Sequence, residues 1–322
     1  MDLIYTDANG ADVGVLFGYA LDLAFGSEEN DFELQVSIDS KEIENGAFIY
    51  IEGTEYGGII DGLRVDTGKR LVHYLGRSFH GILNSRIIQP PAGQSYMVVA
   101  GEANAVLAEI IAAIGADDLF EVSTEDSGIT IQSTEVDRYI SGYDGINKVL
   151  KSAGAKLGMA FIEGKVYLEV KPVVNYAENE QYSSDHYGFT IQKYTNKVNH
   201  LICLGKGELT ERKVVHLYVQ EDGSIDTGNQ FFTGLDEYAA VYDFPSVESI
   251  EELEKSGRER LQELHNSDSG KMELHDDETV LDINDIVGAT EEVTHTTITN
   301  RIVKKIVKIK DNAINIEYEV GD

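Results

Sequence analysis

The stretch Asn199–Tyr218, NHLICLGKGELTERKVVHLY, decides how the rest of the chain is read. Gly205-Lys206-Gly207 at its centre invites comparison with a phosphate loop, but a P-loop needs four residues between its glycines and a Lys-Ser/Thr pair opening a helix. Here a single residue separates the glycines, and Val214, Val215, Leu217 and Tyr218 follow. That β-branched and aromatic run favours a strand. The glycines are therefore assigned to a hairpin or bulge.

Toward the N terminus, Phe32, Leu34, Val36 and Ile38 alternate with Glu33, Gln35, Ser37 and Asp39, the period of a strand with one buried and one wet face. Residues 47–51 and 57–60 read as further short strands, with Gly57-Gly58 at a bulge or corner. Short strands bounded by Gly, Asn and Asp favour a barrel or sandwich, and Pro90-Pro91-Ala92-Gly93 marks a boundary. Beyond it the period changes. Val106, Leu107, Ile110, Ile111 and Ile114 recur at helical spacing before a stop at Gly115, and Ile146, Val149, Leu150, Ala153 and Leu157 write a second helix. Two apolar runs flanking Glu163-Gly164 read as a hairpin.

The polar connection NYAENEQYSSDHYG, residues 175–188, is a second boundary. After it come strands through Gln220, then a helix whose Val247, Ile250, Leu253, Leu261 and Leu264 share a face and whose Ser249 and Glu252 fit a capping box. The chain closes on a hairpin that opposes Val307 and Ile309 to Ile314, Ile316, Tyr318 and Val320 around Asp311-Asn312. The expected fold class is thus mainly β with an α+β insertion: an N-terminal β-domain over 1–93, a small α/β lobe over 94–175, and a second β-domain with one amphipathic helix over 176–322. Two β-domains around an insertion suggest a diverged duplication whose halves superpose.

At 322 residues the chain is long enough for two or three domains. Its one cysteine, Cys203 between Ile202 and Leu204, excludes an internal disulfide framework and reads as a buried, inert thiol. No secretory leader pattern opens the sequence, and no window reaches the roughly 18 apolar residues of a spanning helix, so a soluble product without membrane insertion is expected. Twenty-six basic residues against 57 acidic ones give a net charge of −31. Affinity for phosphate backbones comes mainly from Lys and Arg, so this balance argues against a nucleic-acid groove.

A glycosidase needs two acids flanking one bond. Glu248, Glu251, Glu252 and Glu254 fall mostly on the polar side of a helix start, where they compensate its dipole, and Glu55, ahead of Tyr56-Gly57-Gly58, is assigned to structure. His73, His80, His200 and His216 lack zinc spacing. Asp282-Ile283-Asn284-Asp285 supplies oxygens without the pattern of a calcium loop, and no Gly-x-Ser-x-Gly elbow occurs. No catalytic, cofactor-binding or metal residue is assigned. Arg301, Lys304, Lys305, Lys308 and Lys310 crowd one segment. They read as a charged strand face, a protected edge or a contact with an acidic surface of a neighbouring copy, the last ranked above DNA.

Asn199–Tyr218, together with TEYGGIIDGL at Thr54–Leu63, YLGRSFHGIL at Tyr74–Leu83 and the C-terminal Leu281–Gly288 stretch, resembles the siphovirus tail-hub or baseplate-hub family, phage structural proteins that also form the N-terminal module of many tail-associated lysins. The resemblance implies two tube-like β-barrel domains per subunit and a homotrimer at the tail tip of the virion. Such a trimer forms a pseudo-sixfold ring on a sixfold tube, with DNA passing through and not specifically bound. Implied partners are a distal tail or tail tube protein and a tip fibre, lysin or receptor-binding protein. The chain would be made in a host cytoplasm, carry no enzyme activity and need no cofactor; wall-degrading or receptor-binding activity would belong to a separate chain. The acidic charge would line the conduit. The rival readings are an acidic glycan hydrolase and a carbohydrate-binding adhesion module, the latter suggested by 17 tyrosines and no tryptophan.

Overall fold

The computed structural model describes residues 2–40, 42–178, 181–183, 197–245, 247–266, 270–272, 281–291, 293, 295–311 and 313–321. Seven strands open the chain: β1 (Leu3–Thr6), β2 (Asp12–Leu16), β3 (Ala20–Gly26), β4 (Asp31–Ser37), β5 (Phe48–Tyr50), β6 (Gly57–Asp66) and β7 (Leu71–Ser78). The alternation read at Phe32 is realised in β4, where Phe32, Leu34 and Val36 are buried and Glu33 and Gln35 are half-buried. β4 runs antiparallel between β3 and β7, and the sheet continues through β6, β5 and β1 to β2. Gly57-Gly58 is not a bulge. The two glycines let neighbouring strands close in, because a Cβ on Gly58 would stand 2.1 Å from the Arg77 carbonyl oxygen. The register shift comes later, between Ile60 and Gly62.

A short helix, α1 (Phe79–Asn84), follows β7 directly, its Gly81 N–H donating to the Ser78 hydroxyl at 3.2 Å. The lobe then alternates strand and helix: β8 (Met97–Glu102), α2 (Ala103–Ala113), β9 (Phe120–Val122), β10 (Thr130–Val136), α3 (Gly142–Ser152), β11 (Ala155–Ile162) and β12 (Lys165–Pro172). Gly115, at φ +61°, ends α2 as expected. Helix α3 is shorter than its periodicity suggests, because Gly154 at φ +67° turns the chain and delivers Leu157 into β11. Glu163 and Gly164, at φ +48° and +83°, close the β11–β12 hairpin. The core does not stop at Pro90. Tyr50, Phe79, Ile82 and Leu83 share one apolar cluster with Val106, Ile110, Ile146 and Phe161, and the Tyr50 and Phe79 rings lie 4.1 and 5.2 Å from that of Phe161.

After β13 (Gln181–Ser183), residues 184–196, which include the end of the polar connection 175–188, lie outside the described residues. Residues 191–270 belong to a compact unit of their own, with β14 (His200–Leu204), β15 (Val214–Val219), β16 (Ile225–Asp226), β17 (Ala239–Asp243) and α4 (Ile250–Asn266). The opening stretch is indeed a hairpin: His200 pairs with Tyr218 and Leu204 with Val214. One face of this four-stranded sheet is covered by α4, whose Leu253 and Leu261 join Leu201, Cys203 and Leu217. The helix lies close because Gly257 faces the sheet, and a Cβ there would stand 2.5 Å from Cys203 Sγ. The capping box is half formed, with Glu252 N–H donating to Ser249 Oγ at 3.3 Å and the serine hydroxyl donating to Glu251 at 2.6 Å.

The last four strands, β18 (Gly270–Met272), β19 (Ile286–Glu291), β20 (Thr296–Lys310) and β21 (Ala313–Gly321), do not found a second β-domain. Strand β20 pairs with β19 on one side and β3 on the other, Lys304 opposite Gly26 and Lys310 opposite Ala20, while β21 pairs with β18 and β20. The expected 176–322 domain therefore divides. Residues 271–320 complete the twelve-stranded sheet begun at the N terminus, in one unit with residues 1–190. Apolar alternation tells which face of a strand is buried but not which partner it meets.

Gly257→Ala is expected to lower the stability of the 191–270 unit despite alanine's higher helix propensity. The gain of up to about 1 kcal/mol is smaller than an overpacking cost of about 1–3 kcal/mol. Adding Cys203→Ala should return most of the loss in thermal unfolding, and a double variant no more stable than Gly257→Ala would mean the helix is spaced by other contacts.

Candidate functional site

Glu55, the carboxylate singled out in the sequence, lies in the deepest charged cluster of the first unit. Its Oε1 accepts from Lys305 Nζ at 2.7 Å, and Lys305 has no exposed surface. The ammonium also sits 5.4 Å from the Tyr56 ring and 5.8 Å from that of Phe25. Burial works against the charged lysine, but Glu55, Tyr56 and Tyr318 outweigh it and hold its pKa above the ordinary value. On the other side, His80 Nε2 is 3.5 Å from Glu55 Oε2, and the imidazole stacks flat on Phe25 at 4.2 Å. Burial pushes His80 down to about 4, with Glu55 opposing and Lys305 assisting, so the ring is neutral at pH 7. The Glu55 carboxylate, 17% exposed, is thus fixed in the fold by a buried cation.

The Asp282–Asp285 segment is likewise occupied. Lys156 Nζ, from β11, donates to Asp282 Oδ2 and to both Asp285 oxygens at 2.8 Å. Asp285 is fully buried and takes two further backbone N–H groups, from Val174 and Asp282. A lysine ammonium stands where a calcium ion would need to be, and among the described residues no group of three or more His, Cys, Asp or Glu is arranged to hold a metal.

From Arg301 to Lys308 the basic segment is a buried or half-buried ladder and not an edge, since β20 lies inside the sheet. Besides Lys305, Lys304 reaches Glu29 at 2.6 Å and Lys308 reaches Glu317 at 2.7 Å, while Arg301 donates to the Asn284 carbonyl at 3.1 Å. Lys304, Lys305 and Lys308 thus meet acids of their own chain, while Lys310 at the end of β20 is exposed.

The open sheet face beside this ladder is acidic. The strand register sets Lys308, Asp22, Glu33 and Leu75 in one row across β20, β3, β4 and β7, and Ile306, Ala24, Asp31 and Arg77 in the next. This face floors an open groove of about 910 Å³ whose lining includes Asp22, Glu29, Asp31, Glu33, Asp61 and Glu317 against only Arg77 and Lys308. Glu33 is bound by Arg64 at 3.1 Å and His73 at 2.6 Å, and Asp61 by Arg77 at 2.8 Å. Asp22 and Asp31 are held above the ordinary carboxyl range, first by burial and then by neighbouring acids such as Glu29, with Lys308 and Lys304 respectively pulling the other way. At the far end of the same sheet, the outer strand β2 presents Val13 and Val15, with Phe17 after it, to solvent.

In the 191–270 unit, Cys203 is fully buried and its thiol is pushed up to about 11 by burial, which leaves little thiolate at neutral pH. Glu248, Glu251, Glu252 and Glu254 cluster at the start of α4, where Glu248 pairs with Lys206 and Glu254 with Arg258. His200 and His216, unrelated in sequence spacing, come together: His200 Nε2 is 2.9 Å from His216 Nδ1. Pairing of strands around the hairpin creates that contact, which motif spacing does not encode.

No family model matches the sequence, and no curated relative matches it. Its fold is similar to those of three solved structures along nearly its whole length. The 43 kDa tail protein of prophage MuSo2 from Shewanella oneidensis superposes with a TM-score of 0.56 at 12% identity, covering 99% of this chain and 98% of that one. The prophage tail protein gp18 from Listeria monocytogenes EGD-e gives 0.53 at 13%, covering 100% and 94%. A tail protein from Neisseria meningitidis MC58 gives 0.53 at 10%, covering 100% and 96%.

Two outcomes test this account of the charges. Glu55→Ala should cost about 3–5 kcal/mol in denaturant unfolding by stranding a buried ammonium, and Glu55→Leu combined with Lys305→Met should recover most of it. Failure of that recovery would mean the pair is not what Glu55 contributes. The carboxyls of Asp22 and Asp31 sit above their unfolded values, so their contribution is favourable at low pH and lost as pH rises through the folded range. Asp22→Asn and Asp31→Asn should therefore raise the melting temperature at pH 7, with the gain vanishing toward pH 3.

Proposed function

We propose that this chain is a structural protein of a phage tail tip, a homotrimeric hub that caps the tail tube and adapts sixfold to threefold symmetry around a DNA passage. The observation that carries the reading is the fold itself, matched nearly from end to end in three proteins known as tail proteins. Fold alone does not assign function, and two features of this chain's own residues support the same reading. Glu55 and Asp285 are committed to buried lysines, and a groove of about 910 Å³ is an open acidic sheet face.

The passage lined by this face would be set by Asp22, Asp31 and Glu33. A conduit for a polyanion must not hold it, and each lysine or arginine facing the lumen would bind a phosphate and release a counterion. Strand β2, with Val13, Val15 and Phe17 exposed, offers an unpaired edge at which a second subunit can continue the sheet. Its partners in the virion would be a distal tail or tail tube protein on one side and a tip fibre, lysin or receptor-binding protein on the other. The chain acts by shape and charge, and no bond is made or broken.

Particle images of the purified protein are expected to show threefold rings with a central opening. Because subunits this acidic repel over a screening length of about 10 Å at 0.1 M salt, rings should form better at moderate than at very low ionic strength. Rings of wild-type protein should leave double-stranded DNA free in a gel-shift assay, whereas Asp22→Lys, Asp31→Lys and Glu33→Lys together should retain it. A monomer at all salt concentrations, or hydrolysis of purified cell wall abolished by Glu55→Gln, would overturn the proposal.

A further inference from the structure

Within the 191–270 unit, two imidazoles and a carboxylate stand in one line that the hub reading does not use. His200 on β14 and His216 on β15 are diagonal neighbours, since His200 pairs with Tyr218 and Ile202 with His216. Both side chains lie on the face away from α4, because the alternate residues Leu201, Cys203, Val215 and Leu217 pack with that helix. His200 Nε2 is 2.9 Å from His216 Nδ1, and His200 Nδ1 is 2.6 Å from Glu237 Oε1. His200 is 7% exposed and stacks on the Tyr218 ring at 4.5 Å.

Glu237 belongs to the connection between β16 and β17. Asn199 grips the same connection, donating to the Asp236 carbonyl at 2.7 Å and accepting from Tyr238 N–H at 2.9 Å. Phe231, Leu235 and Tyr238 on this connection are exposed. Whatever holds Glu237 in place therefore holds an apolar display against the sheet.

Proton counting fixes how the line works. An ionised carboxylate can only accept, so in the 2.6 Å contact His200 Nδ1 carries the hydrogen, and this bond is the foremost cause holding Glu237 below the usual carboxylate range. His200 Nε2 is then an acceptor and His216 Nδ1 its donor. One added proton fits on His216 Nε2 and strengthens the contact, since a cationic donor makes the shorter and stronger bond. A second has nowhere to go but His200 Nε2, and two N–H groups cannot face each other at this separation. Among the described residues, the titratable groups in contact with the pair are Glu237 from the connection and Tyr218 from β15.

We propose that His216, His200 and Glu237 form a one-proton clamp that keeps the β16–β17 connection on the sheet at neutral and mildly acidic pH and releases it when both imidazoles are charged. Hydrogen exchange of the full chain tests this at pH 7.5, about 6.5 and about 5, the middle point being the ordinary imidazole value. Protection of the His200 and Tyr238 amides should hold to pH 6.5 and fall about tenfold or more by pH 5, while amides of the β11–β12 hairpin stay protected, the mark of a local opening. His216→Asn keeps a donor at the Nδ1 position but cannot take up a proton, and should hold its protection at pH 5. Glu237→Ala should be open already at pH 7.5. Wild-type protection that does not change with pH, or an equal fall in His216→Asn, would overturn the clamp.

Discussion

The sheet that organises the first unit can be completed only if a lysine ammonium is accepted into its interior. Lys305 is fully enclosed, and its partner Glu55 lies on the connection ahead of β6, 250 residues earlier. Consecutive lysines on β20 point to opposite faces. Lys304 finds Glu29 on one side while Lys305 finds Glu55 on the other. A slip of one residue would exchange these environments and leave a charge buried without a counter-ion, so the pairs fix the register of β20 against β3 as firmly as the apolar pattern does. Lys156 with Asp282 and Asp285 repeats the device between the lobe and the C-terminal segment. Lobe, N-terminal strands and C-terminal strands are in this way tied by charge as well as by core packing.

This arrangement explains why some of the structure is legible in the residues and some is not. Period-two alternation at Phe32–Ser37, helical spacing at Val106–Ile111, the Glu163-Gly164 turn and the β14–β15 hairpin are local signals, and each forms where it is written. Helix α1 is too short for a periodicity to show, and only its Ser78 cap marks it. Leu157 continues the stripe of α3 in sequence but lies beyond Gly154, whose positive φ ends the pattern. Non-local choices left no comparable mark. Nothing in Ile302–Ile309 says that β3 is its neighbour, and nothing in the spacing of His200, His216 and Glu237 says that they align. The basic segment misleads because a lysine looks like a surface residue until its partner is known.

The formal charge of −31 also reads differently once the pairs are placed. A chain poor in cations has committed Lys156, Lys304, Lys305 and Lys308 to internal acids, which leaves the exposed sheet face around Asp22 and Asp31 short of compensation. Stability and surface charge are coupled through the same few lysines. The two aspartyl carboxyls on that face are held above their ordinary range, by burial first and then by neighbouring acids.

The insertion of a self-contained unit between strands of one sheet also sets a schedule for the growing chain. As the ribosome delivers the protein, β3 emerges with one side unpaired and must wait until β20 is made. The 191–270 unit, with its short-range hairpin and covering helix, can fold during that interval. Closing so distant a pairing is slow because the loop entropy must be overcome before the contacts form. The N-terminal strands therefore spend translation as a half-sheet with an open side. A chain truncated before β20 would be left there permanently, with the side of β3 that β20 would cover open to stray pairing.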